Sequence, residues 1–386
     1  MLLFRQSFAR LTSASLMDGY NVVICRDCGL GFADDIPPQS VFDEYYRDLS
    51  KYEDRITGGN EPRVEQRFRD IAGLVAQFIS NPHSRILEIG CASGGLLKAL
   101  VDLGFHNVLG TDPSPSCIRA ARELHGIPVL AANIFTIPDT KDEYDFLVLT
   151  GVMEHIRDLD RAVGQFRRLL RKGGRVYLEV PDASRYEARL DAPFQEFSIE
   201  HINFFSQTSL ANLMRVQGFR RLGTGHVMRP LHEVTCPSVF GVFEYAAEDS
   251  AIEKDPDTEA GLRLYIEDCT KEDARIKLAI QQSLTPGERM IVWGVGTHTL
   301  RLLANGGLEP ARILLFVDSN PHYQQQEVCG IPVVSPRDLQ ARPEPILISS
   351  RSSQRAIQTQ IRDSLGLKNP LILLYDREET GNRADA

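Results

Sequence analysis

The sequence predicts an α/β protein: two doubly wound, mostly parallel sheets in tandem, behind a small N-terminal module. Three observations carry this expectation. At 386 residues the chain is too long for one core, since single domains mostly run ~100–200 residues. From Arg85 onward, short apolar strands alternate with helical segments, the pattern of a sheet wrapped by helices. Finally, two glycine-bearing turns, Gly90 to Gly94 and Gly294 to Gly296, are each answered by an aspartate: Asp112 lies 22 residues after Gly90 and Asp318 lies 22 after Gly296.

The composition is globular, 42% hydrophobic and 25% charged, which excludes disorder and collagen-like fibres. The net charge of −9 argues against a protein that neutralises nucleic-acid phosphates. No apolar run approaches the ~18 residues of a membrane helix, so neither nucleic acid nor membrane is an expected partner. Seven cysteines, Cys25, Cys28, Cys91, Cys117, Cys236, Cys269 and Cys329, are odd in number and scattered, which suits a reducing cytoplasm. Arg5 and Arg10 precede the first acid, Asp18, but the apolar stretches between them are too broken for a secretory signal. A chance basic start is expected rather than a transit peptide.

Residues 1–62 are read as the N-terminal module. They hold a β-like run from Asn21 to Cys25, a single C-x-x-C from Cys25 to Cys28, and an aromatic patch from Phe42 to Tyr52. The Thr57 to Pro62 stretch is loop-like and marks a boundary. In residues 63–230, Phe68, Ile71, Ala72, Val75 and Phe78 recur at helical spacing. Strands are then expected at Ile86 to Ile89, Val108 to Asp112, Phe146 to Leu149 and Arg175 to Val180. Helices are expected from Leu96 to Leu103, Ser116 to His125 and Asp160 to Leu170, the last stopped by Lys172-Gly173-Gly174. Residues 231–386 begin with an acidic run, Glu248, Asp249, Glu253, Asp255, Asp257 and Glu259, read as a solvated linker face. A long helix from Leu262 to Leu284 follows. Strands at Met290 to Trp293, Ile313 to Val317 and Pro345 to Ser349 then repeat the strand–turn–helix theme.

The Leu87-Glu88-Ile89-Gly90-Cys91-Ala92-Ser93-Gly94-Gly95 turn is the strongest chemical signal. Glycine lets a ligand lie against backbone, and an acid closing the next strand can accept both ribose hydroxyls of an adenosine. Asp112 stands there. This pairing alone leaves NAD and S-adenosylmethionine both open.

Three further features resemble the class I S-adenosylmethionine-dependent methyltransferase superfamily over roughly residues 64–225: Glu88 inside the first strand, Asn133 after the third, and Tyr144 to His155 as the fourth strand and its loop. The resemblance implies a Rossmann-like methyltransferase core that binds S-adenosylmethionine through Glu88, Gly90, Ala92, Gly94, Asp112, Asn133 and Thr150. Ala92 replaces the third glycine of the turn.

Past the last strand, Glu200-His201, Phe204-Phe205-Ser206 and Gly218-Phe219 follow the order of nucleotide-sugar C-methyltransferases. That three-module family is similar over nearly the whole chain. It implies a second Rossmann-like C-terminal domain, a nucleotide-linked keto sugar as partner, His201 as general base and Glu200 as its orienter or a sugar ligand. A histidine, ordinarily titrating at about 6.5, suits proton removal beside a ketone. Glu154, His155, Tyr52, Gly294, Gly296 and Asp318 are the expected substrate contacts. Two departures stand out. Ser198 occupies the place of a tyrosine three residues before the histidine, so Tyr45, Tyr46 or Tyr52 would have to supply a phenol. A structural zinc wants four ligands and only Cys25 and Cys28 are present, so the C-x-x-C is read as a vestigial turn and no metal is expected. An O-methyltransferase and a non-catalytic scaffold are the alternatives.

Overall fold

A computed structural model describes residues 1–11, 16–48, 62–138, 143–188, 191–231, 234–246, 251–339 and 342–375. Tyr52 and most of the expected 57–62 boundary lie outside the described residues.

The N-terminal module is an antiparallel meander of β1 (Leu2–Ser7), β2 (Gly19–Ile24) and β3 (Gly31–Asp34), followed by α1 (Gln39–Asp48). Tyr20, Val22 and Ile24 alternate inward along β2, as a half-covered sheet requires. Phe42 is the fully buried anchor of α1. The sheet gains a fourth strand from residues 203–204, far downstream.

The central unit runs α2 (Pro62–Ala76), β4 (Ile86–Ile89), α3 (Gly95–Asp102), β5 (Val108–Asp112), α4 (Pro115–His125), β6 (Val129–Ala131), β7 (Tyr144–Thr150), α5 (Leu159–Leu169) and β8 (Leu170–Pro181). It continues with β9 (Asn203–Phe204), which pairs with β3, then α6 (Gln207–Arg215), β10 (Phe219–Leu231) and β11 (Val234–Tyr245). Its sheet order is β10-β11-β8-β7-β4-β5-β6. The strands β4 to β8 are parallel and β11 runs antiparallel to both neighbours. The order reverses between β4 and β7, which opens a crevice at their carboxyl ends. All four residues of β4 are buried, the continuous run of a strand covered on both faces.

The expected boundary at 230 can be set against the strand pairing of the central sheet. It falls inside the β10–β11 hairpin, and β11 pairs with β8 from Glu244 to Ser238, so the central sheet extends to Tyr245. Within this hairpin a Cβ on Gly225 would lie 2.7 Å from the Phe240 ring, and one on Gly241 2.5 Å from Phe243. The glycines make room for aromatic rings.

The third unit comprises α7 (Asp257–Gln282), β12 (Met290–Trp293), α8 (Thr297–Ala304), β13 (Ile313–Val317), β14 (Glu327–Val328), β15 (Ile331–Val334), β16 (Ile346–Ile348), α9 (Gln354–Thr359) and β17 (Leu371–Leu373). Its sheet is ordered β14-β15-β13-β12-β16-β17, with β15, β13, β12, β16 and β17 parallel to one another. The reading of 248–259 as a solvated face fails at Asp255, which is buried. Its carboxylate accepts from Ser206 Oγ and Thr258 Oγ1, both at 2.6 Å, while its backbone N–H donates to Cys28 O at 2.9 Å. One apolar core joins Tyr20 and Val22 of the first module, Phe197 and Phe204, Leu262 and Ile276 of α7, and Val292 and Phe316 of the third sheet. Among the described residues, no helix is long and apolar enough to cross a membrane.

Candidate active site

The crevice at the end of β4 is built from an acid, a turn and a second acid. Glu88 is buried, and burial together with the charge of Asp112 pushes its carboxyl up to about 8. Its Oε2 has no hydrogen-bond partner. A buried polar atom left unsatisfied at a crevice is one that a donor-bearing ligand completes. Gly90 (φ 75) and Gly94 (φ 79) bend the turn, and a Cβ on Gly90 would meet Val152 Cγ2 at 2.7 Å. Ala92 adopts the same left-handed region (φ 45) without glycine's freedom. Its N–H donates to Asp112 Oδ2 and that of Ser114 to Oδ1, both at 2.9 Å. Asp112 thus holds the turn through both carboxylate oxygens, at the strand end where an acid can meet a ribose diol. Thr150 closes β7 at half-exposure. The Asn133 carbonyl is engaged in its own turn by Phe135 N–H (2.9 Å) and Thr136 Oγ1 (3.1 Å). What Asn133 can still offer is its amide N–H pair, which suits a ring nitrogen of adenine rather than the amino group. These residues fit S-adenosylmethionine.

Across the crevice, a 3₁₀ turn after β7 carries Glu154 and His155, both buried. His155 Nδ1 lies 3.0 Å from the Glu200 carbonyl and Nε2 lies 3.8 Å from Glu154 Oε1. Burial pushes the Glu154 carboxyl up and pulls the His155 imidazole down from their ordinary values. The two imidazoles of His155 and His201 meet edge to face at 5.0 Å. His201 Nδ1 lies 3.5 Å from Oε2 of fully buried Glu196, and the His201 side chain is 17% exposed. Glu200 sits between modules: Tyr45 Oη donates to its Oε1 at 3.0 Å. Tyr46 packs its ring 5.5 Å from that of His155.

The backbone explains how adjacent Glu200 and His201 serve one site. Ser198 Oγ accepts both of their N–H groups, at 3.3 and 3.2 Å, bending the chain ahead of β9. The N-terminal module clamps this bend: Gln6 donates to Phe197 O, Tyr20 Oη to Ser198 O, and Ala33 N–H to Ile202 O. Ser198, where the resemblance places a tyrosine, is thus a turn-former. Gln39 Oε1 accepts from the N–H groups of Arg157 and Asp158, tying α1 to the loop after His155.

Glu196 was invisible to sequence reasoning, since nothing local marks it. A second missed pair is His226 with Asp182, 2.6 Å apart beyond β8. In the third unit, Asp318 Oδ2 accepts from Val295 N–H at 2.7 Å, inside the Gly294–Gly296 turn, and Oδ1 from Asn320 N–H at 2.8 Å. α8, which leaves that turn, is tied to the first module through Ala9 N–H and Leu300 O. Cys25 and Cys28 are half-buried free thiols. Backbone N–H groups of Cys28 and Asp27 draw Cys25 below its ordinary value, whereas burial raises Cys28.

The strand order, the crevice at its reversal and the acids lining it define a class I S-adenosylmethionine-dependent methyltransferase domain. Comparison with known proteins agrees: residues 63–222 match the family model described as a methyltransferase domain. An uncharacterized methyltransferase of Oceanobacillus iheyensis is 28% identical over 128 residues, 32% of this chain and 59% of that protein. A ubiquinone biosynthesis O-methyltransferase of Chelativorans sp. is 28% identical over 126 residues, 31% of this chain and 44% of that protein. Among solved structures, 1,6-didemethyltoxoflavin-N1-methyltransferase of Burkholderia thailandensis, bound to 1,6-didemethyltoxoflavin and S-adenosylhomocysteine, is 16% identical. It covers 58% of this chain and 98% of its own, with a TM-score of 0.44.

Proposed function

We propose that the chain methylates a nucleotide-linked keto sugar at the carbon beside the ketone, with His201 as general base. The observation that carries this reading is the half-open His201 imidazole backed by the buried Glu196 carboxylate. A carboxylate behind a histidine orients the ring and stabilises the imidazolium that forms on proton uptake. S-adenosylmethionine, held by Glu88, Gly90, Asp112 and their turn, supplies an electrophilic sulfonium methyl. His201 takes the proton from the sugar carbon, and Glu196 holds the charge that develops. The Tyr45 phenol supports the reading by donating to Glu200 Oε1, which brings a hydroxyl to the residue beside His201. Glu154 and His155 wall off the acceptor side, and Gly294, Gly296 and Asp318 belong to a third module that would hold the nucleotide, as would Tyr52.

The test is mass spectrometry of products from a panel of nucleotide keto sugars. A C-methyl product that His201→Ala lowers by about 100-fold or more is expected. A product methylated on a hydroxyl would assign O-methylation instead, and no heat on titrating S-adenosylmethionine would make the domain a scaffold.

A further inference from the structure

The turn after β7 and the bend before β9 bring Glu154, His155 and His201 together, one ligand atom from each lying within 4.8 Å of the other two. The protonation of His155 follows from its neighbours. A carbonyl only accepts, so Nδ1, 3.0 Å from Glu200 O, carries the hydrogen and Nε2 presents a lone pair. That lone pair faces Glu154 Oε1 across 3.8 Å, too far for a hydrogen bond. The gap matches two bonds of about 2.0–2.2 Å converging on one ion. The other oxygen of Glu154, Oε2, is buried without a hydrogen-bond partner, on a side chain only 4% exposed. The Glu200 carbonyl, 3.0 Å from His155 Nδ1, is the outer partner that a ligating histidine takes, and the Glu196 carboxylate lies 3.5 Å from His201 Nδ1, within reach of charge attraction. The partial exposure of His201 provides an entry path.

We propose that Glu154, His155 and His201 form a site for one divalent cation of borderline hardness, of the zinc or cobalt class. Two imidazole nitrogens and one carboxylate oxygen are the donor set such ions take in open sites, with further positions left for water or for oxygens of the acceptor. The site rests on these side chains alone and does not depend on which acceptor is methylated. It does bear on the chemistry, because an ion on His201 occupies the lone pair that proton abstraction needs.

The test uses the full chain, stripped with a chelator and titrated with cobalt chloride, in parallel with a Cys25→Ser/Cys28→Ser variant. The expected result is one equivalent of cobalt, a saturable visible band, and no near-ultraviolet thiolate band in either protein. Glu154→Gln and His201→Gln, the first isosteric and the second at a partly exposed position, should each weaken binding by at least ~10-fold, with the circular dichroism spectrum retained. Should either lose its fold, the other decides. No band, a band unchanged in both variants, or one lost only with the cysteines would overturn the site. Methyl transfer, assayed separately, should fall as cobalt fills the site if His201 is the base. Bound cobalt that instead raises turnover overturns the base assignment while leaving the cation site standing.

Discussion

The β4–β5 and β12–β13 units build the same turn twice. In each, an aspartate closing the second strand accepts a backbone N–H from the glycine turn on Oδ2 and the N–H two residues onward on Oδ1. The hydrogen bonds are nearly superimposable in kind and length, yet the two turns differ in what lies beneath them. β4 carries Glu88, a buried acid with an unsatisfied oxygen, whereas β12 is Met290-Ile291-Val292-Trp293, buried and wholly apolar. The first turn also spends five residues, Gly90 to Gly94, before its helix, and the second only three. The aspartate spacing is therefore explained by architecture in both units. What singles out the first as a ligand site is the acid in the strand.

That contrast can be broken by mutation, and the largest effect is expected at the two aspartates. Asp112→Ala should weaken S-adenosylmethionine by about 100-fold or more, since it removes charged acceptors as well as the turn's anchor. Asp318→Ala should cost on the order of 2 kcal/mol of stability in urea unfolding and leave that affinity unchanged in calorimetry. Equal losses of affinity would erase the distinction. Next is Glu88→Gln, read through pH. The carboxyl of Glu88 is raised to about 8 in the fold, so its stabilising contribution is complete below the unfolded value near 4.5 and is lost as pH climbs through 8. Without ligand, the variant should match wild type near pH 4.5 and exceed it by on the order of 5 kcal/mol at pH 9; a pH-independent difference would contradict the burial argument. The smallest contrast lies in the glycines. Gly90→Ala forces a side chain into φ 75 against Val152, costing about 1–3 kcal/mol. Gly296, at φ −77 and facing open space, should accept alanine with no measurable change in melting temperature.

Much of the two parallel sheets was legible because buried strands such as Ile86–Ile89 and Met290–Trp293 are short, largely apolar runs that end on a glycine. The β10–β11 hairpin was not. Arg220, Arg221, Gly223, Gly225 and Pro230 dilute its pattern, as suits a strand at a sheet edge, and Pro237 interrupts its partner. The residues of the expected cofactor side lie in one contiguous turn and one aspartate, a pattern that sequence alone displays. The acceptor side could not, because His155 meets Glu200 across 45 residues and Tyr45 meets it across 155. Only the closed fold reveals that Glu196 backs His201, or that Asp255 in an acidic run is a buried cap for α7.

The pairing of β9 with β3 also constrains how the molecule is made. A strand formed within the first three dozen residues waits for its neighbour until more than two hundred have been synthesised, and the bend bearing His201 has no clamp before then. A fragment starting at residue 63 would keep the matched methyltransferase segment and lose the scaffold that shapes its acceptor side. Catalytic competence should thus arrive late in biosynthesis, in a single long-range closure that ties the two ends of the domain together.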